Sequence, residues 1–381
     1  MKERSQTTSW TEFVQEAYVW GQFDSKRPGK TRICPLLCTF EIEVDDHFRY
    51  YLIFPLATGP LPELWSRHPS GGDGQTLTFE WLANELLQLA DTLSLVHNDD
   101  NNDSPDNGSP DFGRFGDIKP ANILWFADYV GCKDAGSLLF TDLGLAKCHK
   151  KLTKSNSFPA KVRHSETYKA PEFAYTDYPV GIGRKADVWS FGCTLVEHLT
   201  WYILGNNPLT IASPLFTELE EFVGKLKQIV DDDFNAGLGS FKDFSEINIE
   251  HKTPLDLFAD LRDEPDLDHP SFSQDRFFSL SRTKDKIYIR KSVTIWLTFL
   301  HHNERCSPFL HDLLSFIQER MLDINCTTRA TAQEVKMKME ELYKNLQNGQ
   351  FRDVCRPSHC TNACRAALRW KHLKLPFNRG T

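Results

Sequence analysis

The sequence predicts an α+β fold in which a short strand-bearing front is followed by a long helical back. Three observations carry that prediction. In the first part of the chain the apolar residues gather in short runs rich in branched and aromatic side chains, namely Tyr50–Pro55, Ile123–Phe126 and Leu138–Thr141, as buried strands do. Beyond residue 185 they recur at three- and four-residue steps in Val188–Leu204, Phe216–Asp231, Ser292–His301, Pro308–Leu322 and Ala332–Leu346, which lines one side of a helix. The composition, 40% hydrophobic and 25% charged over 381 residues, is that of a globular chain and excludes disordered, collagen-like and disulfide-framework classes.

At roughly 150 residues per domain, the length suggests two or three units. MKERSQTTSW, at the start, is polar where an export signal would be apolar, so an intracellular protein, cytoplasmic or nuclear, is expected. The longest apolar stretches, Tyr50–Ala57 and Val293–Leu300, are far shorter than the ~20 residues of a membrane helix, so no membrane partner is expected. In Leu77–Val96, Trp81, Leu82, Leu86, Leu89, Leu93 and Val96 form the stripe of an amphipathic helix. The run Asn98–Asp111 has five aspartates, two prolines and no basic residue, and reads as a solvated loop. A net charge of -8 disfavours nucleic acid as a partner, although Arg352–Arg379 is locally basic. The ten cysteines are scattered and read as reduced thiols. Cys355, Cys360 and Cys364 with His359 could ligate zinc, but they lack the two paired spacings of a four-ligand site, and a solvated tail is the expectation.

Four motifs follow the acidic loop in an informative order. Gly116-Asp117-Ile118-Lys119-Pro120-Ala121-Asn122-Ile123-Leu124 resembles the catalytic loop of protein kinases. Leu138-Leu139-Phe140-Thr141-Asp142-Leu143-Gly144 is similar to the family's Asp-Phe-Gly segment, with leucine for phenylalanine. Ser165-Glu166-Thr167-Tyr168-Lys169-Ala170-Pro171-Glu172 ends in the Ala-Pro-Glu that closes the activation segment, and Asp187-Val188-Trp189-Ser190-Phe191-Gly192 resembles the start of the central helix. Each alone is a common turn or helix fragment; four in order, with Arg329 as a fifth, identify the chain as a member of the protein kinase superfamily, closest to a divergent group common in filamentous fungi.

That resemblance implies a two-lobe kinase fold, with an incomplete β-rich small lobe and a large helical lobe, and it implies ATP and Mg2+ as cofactors. Asp117 would accept the substrate hydroxyl proton, Lys119 would stand beside the transferred phosphoryl group, and Asn122 and Asp142 would hold magnesium. Glu172 would pair with Arg329, and Asp187 would accept hydrogen bonds from loop amides. Arg32–Leu37 and Tyr50–Ala57 look like strands four and five leading to the hinge; Phe54 would be the gatekeeper, Pro55 and Ala57 would offer a carbonyl and an amide to adenine, and Leu124 would floor the ring. Glu16, with Glu12 as rival, would be the helix glutamate, and Lys2 the strand-three lysine; on that alignment the chain starts inside strand three and strands one and two are absent.

The expected division is a partial small lobe over residues 1–56, a large lobe over 57–346 with the acidic loop at 98–112 and insertions around 205–290, and a basic Cys-containing tail over 347–381. The insertions, with Asp231-Asp232-Asp233 and the cluster Asp260, Asp263, Glu264, Asp266 and Asp268, read as surface loops. Two departures stand out: no glycine-rich loop precedes the hinge, and Phe115 and Gly116 replace the usual histidine and arginine, which weakens Ser165 and Thr167 as activating phosphosites. The expected function is ATP- and Mg-dependent phosphoryl transfer to Ser/Thr hydroxyls of a protein substrate; the alternative is a catalytically impaired scaffold.

Overall fold

The computed structural model describes residues 2–4, 13–14, 17–18, 20–21, 31–44, 47–72, 76–97, 113–128, 135–142, 166–174, 183–221, 249–265, 273–280 and 287–350. At the front, β1 (Lys2–Arg4), β2 (Cys38–Val44) and β3 (His47–Ile53) form an antiparallel sheet in the order β1-β3-β2. β2 and β3 pair from Cys38 opposite Ile53 to Val44 opposite His47, and β1 places Lys2 opposite Leu52.

The strand expected over Arg32–Leu37 lies one segment later, in β2. Residues 32–34 run instead beside a different strand: Phe140 donates its N–H to Arg32 O at 2.7 Å, and Cys34 donates to Phe140 O at 2.8 Å. The pairing is a single parallel bridge at Ile33, and by Leu37 the chain has turned to the front sheet, where Leu37 donates to Ile53 O at 2.8 Å. The Arg32 guanidinium also reaches buried Glu85 at 3.1 Å, so this short segment fastens the front sheet to the helical body.

After β3 come β4 (Gly59–Pro60), α1 (Leu61–Arg67) and α2 (Phe79–His97), then β5 (Ile123–Phe126) and β6 (Ser137–Phe140), which close a sheet in the order β4-β5-β6. The helix α3 (Lys185–Leu204) is buried on every side from Ala186 onward except at Ser190, as the axis of a helical core must be. It ends at Gly205, whose φ of 79° is open to glycine without strain and whose N–H caps Trp201 O at 2.7 Å.

α4 (Pro254–Arg262) starts at a reciprocal cap between Thr253 and Asp256, followed by β7 (Asp263–Pro265), β8 (Ser273–Asp275), β9 (Phe278–Leu280) and β10 (Ile287–Ile289). This corrects the surface-loop expectation, because Leu257, Phe258 and Leu261 are wholly buried and Phe258 stacks on Trp296 at 5.0 Å. The helical expectation over Phe216–Asp231 is met as far as residue 221; Asp231–Asp233, Asn98–Asp111 and the tail from residue 351 lie outside the described residues.

Three helices complete the body: α5 (Lys291–His302), α6 (Pro308–Phe316) and α7 (Ala332–Gln347). The run expected to be one helix over Pro308–Leu322 changes hydrogen-bond register at Ile317 and continues to Met321 as a wider π turn. α7 packs on α2, where Ser94 donates to Gln333 at 2.8 Å and Lys336 pairs with Asp91 at 2.8 Å. Among the described residues no helix is long and apolar enough to cross a membrane.

Candidate active site

The loop between α2 and β5 is shaped by a buried carboxylate. Phe115 and Gly116 donate their N–H groups to Asp187 Oδ2 and Oδ1 at 2.8 and 2.9 Å, and His97 Nε2 lies 2.9 Å from Oδ2. Asp187 comes from the first turn of α3, so the loop is anchored to the central helix. Gly116 has φ 84°, a conformation in which an L side chain is strained; the arginine usual in the family would pay for its side chain in backbone strain here. Phe115 is buried with its ring 4.6 Å from that of Phe140, so it fills the place of the usual histidine by packing alone.

Next along the loop the candidate catalytic residues meet. Lys119 Nζ donates to Asp117 Oδ2 at 2.7 Å, and Asn122 Nδ2 donates to Asp117 O at 2.9 Å and to Oδ2 at 3.2 Å. Asn122 sits in a single 3-10 turn, Pro120–Asn122, opened by a proline whose missing N–H costs nothing at that position. Thr141 donates to Asn122 O at 2.9 Å, so β6 delivers Asp142 beside the loop, at φ 58°. A non-glycine residue held in the left-handed region marks a backbone over-determined by its surroundings.

Two buried ion networks support this arrangement. Glu172 and Arg329 form a bidentate pair at 2.8 and 2.9 Å, with the guanidinium 5.2 Å from the Trp189 ring and 0% exposed. Arg262 lies between the rings of Phe258 and Phe277 at 4.1 and 4.5 Å and pairs with Glu197 at 2.7 Å and Asp275 at 2.7 Å. Burial alone would lower the Arg262 guanidinium, but the two carboxylates hold it above its ordinary range. Glu197 also accepts from the Tyr168 hydroxyl at 2.7 Å, and Ser190 donates to Tyr168 O at 2.8 Å. The segment just before Ala-Pro-Glu is thereby fixed against α3. A shallow concavity opens between it and the loop, lined among others by Arg114, Asp117, Tyr168, Lys169 and Phe173.

The front candidates are less concentrated. Phe54 is half-buried with its ring 4.9 Å from that of Trp20, Pro55 and Ala57 are half-buried, and Leu56 between them is 95% exposed. Leu124 lies in β5 opposite Pro60 and packs against the core. The Lys2 backbone adds β1 to the edge of β3, while Glu16, Glu12 and Ser165 lie outside the described residues. Thr167 is described, 3.4 Å from Asp275.

Comparison with known proteins decides what this arrangement belongs to. The protein kinase domain model matches residues 114–339, more than half of the chain. This chain belongs to the protein kinase family. The curated relatives include the mitogen-activated protein kinase kinase kinase 3 of Homo sapiens and of Mus musculus, each 38% identical over 84 residues. A "probable serine/threonine-protein kinase" of Dictyostelium discoideum is 33% identical over 96 residues. These matches cover 22% of this chain but only 12%, 12% and 8% of the relatives' lengths.

Within this kinase domain, motif reading finds Asp117, Lys119, Asn122, Asp142, Glu172, Asp187 and Arg329, and the structure brings the first four into one patch. It misses His97, Tyr168, Glu197, Arg262 and Asp275 as supports. Arg262 sits in an acidic stretch that reads as surface, and only the flanking Leu257, Phe258 and Leu261, spaced for one helix face, hinted at burial.

Proposed function

We propose that the chain catalyses magnesium-dependent transfer of a phosphoryl group from ATP to Ser/Thr hydroxyls of a protein. The observation that carries this reading is the Asp117–Lys119–Asn122 cluster with Asp142 delivered beside it. Asn122 spends its amide N–H groups on Asp117, which leaves its side-chain oxygen as an acceptor; with the Asp142 carboxylate this is the hard oxygen donor set magnesium prefers. Bound magnesium would neutralise charge on the phosphates.

Asp117 accepts the proton of the incoming hydroxyl, and Lys119, held against it, places a cation where negative charge develops. The concavity beside Asp117 receives the protein substrate, with Arg114 and Lys169 on its rim. Phe54, Pro55, Ala57 and Leu124 form the adenine pocket at the junction of a small lobe (1–56) and a large lobe (57–346), and Lys2 and Glu16 are assigned to the phosphate side by the family resemblance alone. A scaffold that binds nucleotide without transfer is the second reading, favoured by the apolar replacement of the loop histidine by Phe115.

ATP with magnesium should raise the melting temperature of the purified chain, and Asp142→Asn should abolish the shift. No shift in the unmutated chain refutes nucleotide binding; a shift without radiolabel transfer to a general protein substrate selects the scaffold.

A further inference from the structure

We propose that the corner between α5 and α6 is a zinc site whose ligands are His301, Cys306 and His311. His301 lies in the last turn of α5, Cys306 in the connecting loop and His311 in the first turns of α6. Four residues separate each from the next, and the loop turns back so that one donor atom from each lies within 4.8 Å of the other two. Around a tetrahedral ion with bonds of about 2.0–2.3 Å, such donors stand roughly 3.3–3.7 Å apart, so the cluster closes on an ion with small rotamer changes. The two rings are nearly parallel, 5.2 Å between centroids at 15°, and their Nδ1 atoms share a hydrogen bond at 2.9 Å, a contact that an ion between them would replace once the bridging proton shifts to Nε2.

The loop is held by bonds that do not use these ligands. Cys306 N–H donates to Asn303 O at 2.9 Å, Ser307 Oγ accepts from Leu310 N–H at 3.3 Å, and Arg305 reaches Gly72 O at 2.6 Å. His302 is turned away, with Nδ1 at 2.7 Å from Thr298 O. The loop backbone is therefore fixed before metal binds, which lowers the ordering cost of closing the three side chains on an ion. Two imidazole nitrogens and one thiolate, with no carboxylate, favour zinc over magnesium or calcium. Cys306 is 1% exposed and the two rings are half-buried, so the fourth position faces solvent on the ring side and takes a water.

Binding forms Zn–N bonds to both Nδ1 atoms and a Zn–S bond to Cys306. The thiol proton leaves to solvent, and each ring carries its remaining proton on Nε2. The metal then clamps the end of α5 to the start of α6.

Chelator-stripped full-length chain titrated with Co(II) should bind one equivalent, show a thiolate-to-cobalt charge-transfer band, and release the cobalt to Zn(II). Zinc should raise the melting temperature by roughly 3 °C. Cys306→Ser should remove the band, and His301→Gln combined with His311→Gln should weaken zinc binding by about 100-fold or more. Replacing Cys355, Cys360 and Cys364 together by serine should change nothing. X-ray absorption of the zinc-loaded unmutated chain, which needs no variant to fold, should give one sulfur and three light ligands. A three-sulfur shell, a band lost in the tail variant, or no zinc binding tighter than roughly 10 μM overturns the proposal.

Discussion

Around Asp117 the molecule is held by buried charges that reach far along the chain, whereas the front sheet is held by backbone pairing between its strands. Glu172 and Arg329 are 157 residues apart and Asp187 is 72 from Phe115, yet both links are bidentate or doubly bonded. β2 and β3 pair along their full lengths, and Phe40, Ile42 and Phe48 on them are exposed. The protein kinase match begins at Arg114, on the first side of that contrast. The lesson is one of tolerance: phosphoryl transfer depends on fixed distances at the loop, so changes there propagate, while exposed front positions absorb them.

The largest expected effect is at Arg329. Arg329→Ala leaves Glu172 charged and buried and removes the guanidinium from the Trp189 face, and should cost about 3–5 kcal/mol in denaturant melts. A loss below about 1 kcal/mol would erase the contrast between the two regions. Asp187→Asn replaces a carboxylate that accepts two amides; it should cost roughly 1–3 kcal/mol, and any transfer activity should fall further than stability does, because the loop geometry goes first.

A third prediction uses pH. His198 accepts from Trp65 Nε1 at 3.0 Å and is fully buried, and burial pushes its pKa down to about 3. The unfolded chain takes up that proton near 6.5, so the stability His198 contributes is complete above pH 6.5 and is lost as pH falls from there towards 3. Melts at pH 7 and pH 5 should differ by about 2 kcal/mol more in the unmutated chain than in His198→Gln, and equal differences would show that the imidazole is not buried neutral. The smallest effect is expected at the front, where Ile42→Thr should stay within about 0.5 kcal/mol. A larger loss would mean that another surface covers this face.

What the sequence made legible was local. The spacing of Asp117, Lys119 and Asn122, and the helical stripes now seen as α2, α5 and α7, lie within a few turns of chain and need no partner to be read. The errors arose where pairing partners lie far away. Arg32–Leu37 has strand composition, but Arg32 and Cys34 bond to Phe140 across more than a hundred residues in a single bridge, and only Leu37 reaches Ile53. Likewise Arg262 gave no warning, since a lone arginine among aspartates looks solvated until Glu197 and the rings of Phe258 and Phe277 enclose it.

The two backbone hydrogen bonds of Phe140, donated to Arg32 O and accepted from Cys34 N–H, have a mechanical consequence. Phe140 sits in β6, immediately before Thr141 and Asp142, and its other neighbour is Ile123 in β5. Residues 32–34 are thus riveted to the strand that leads, two residues on, into Asp142. Asp142 follows two rivets, Phe140 on residues 32–34 and Thr141 on Asn122, so a displacement of either partner reaches it through at most two residues.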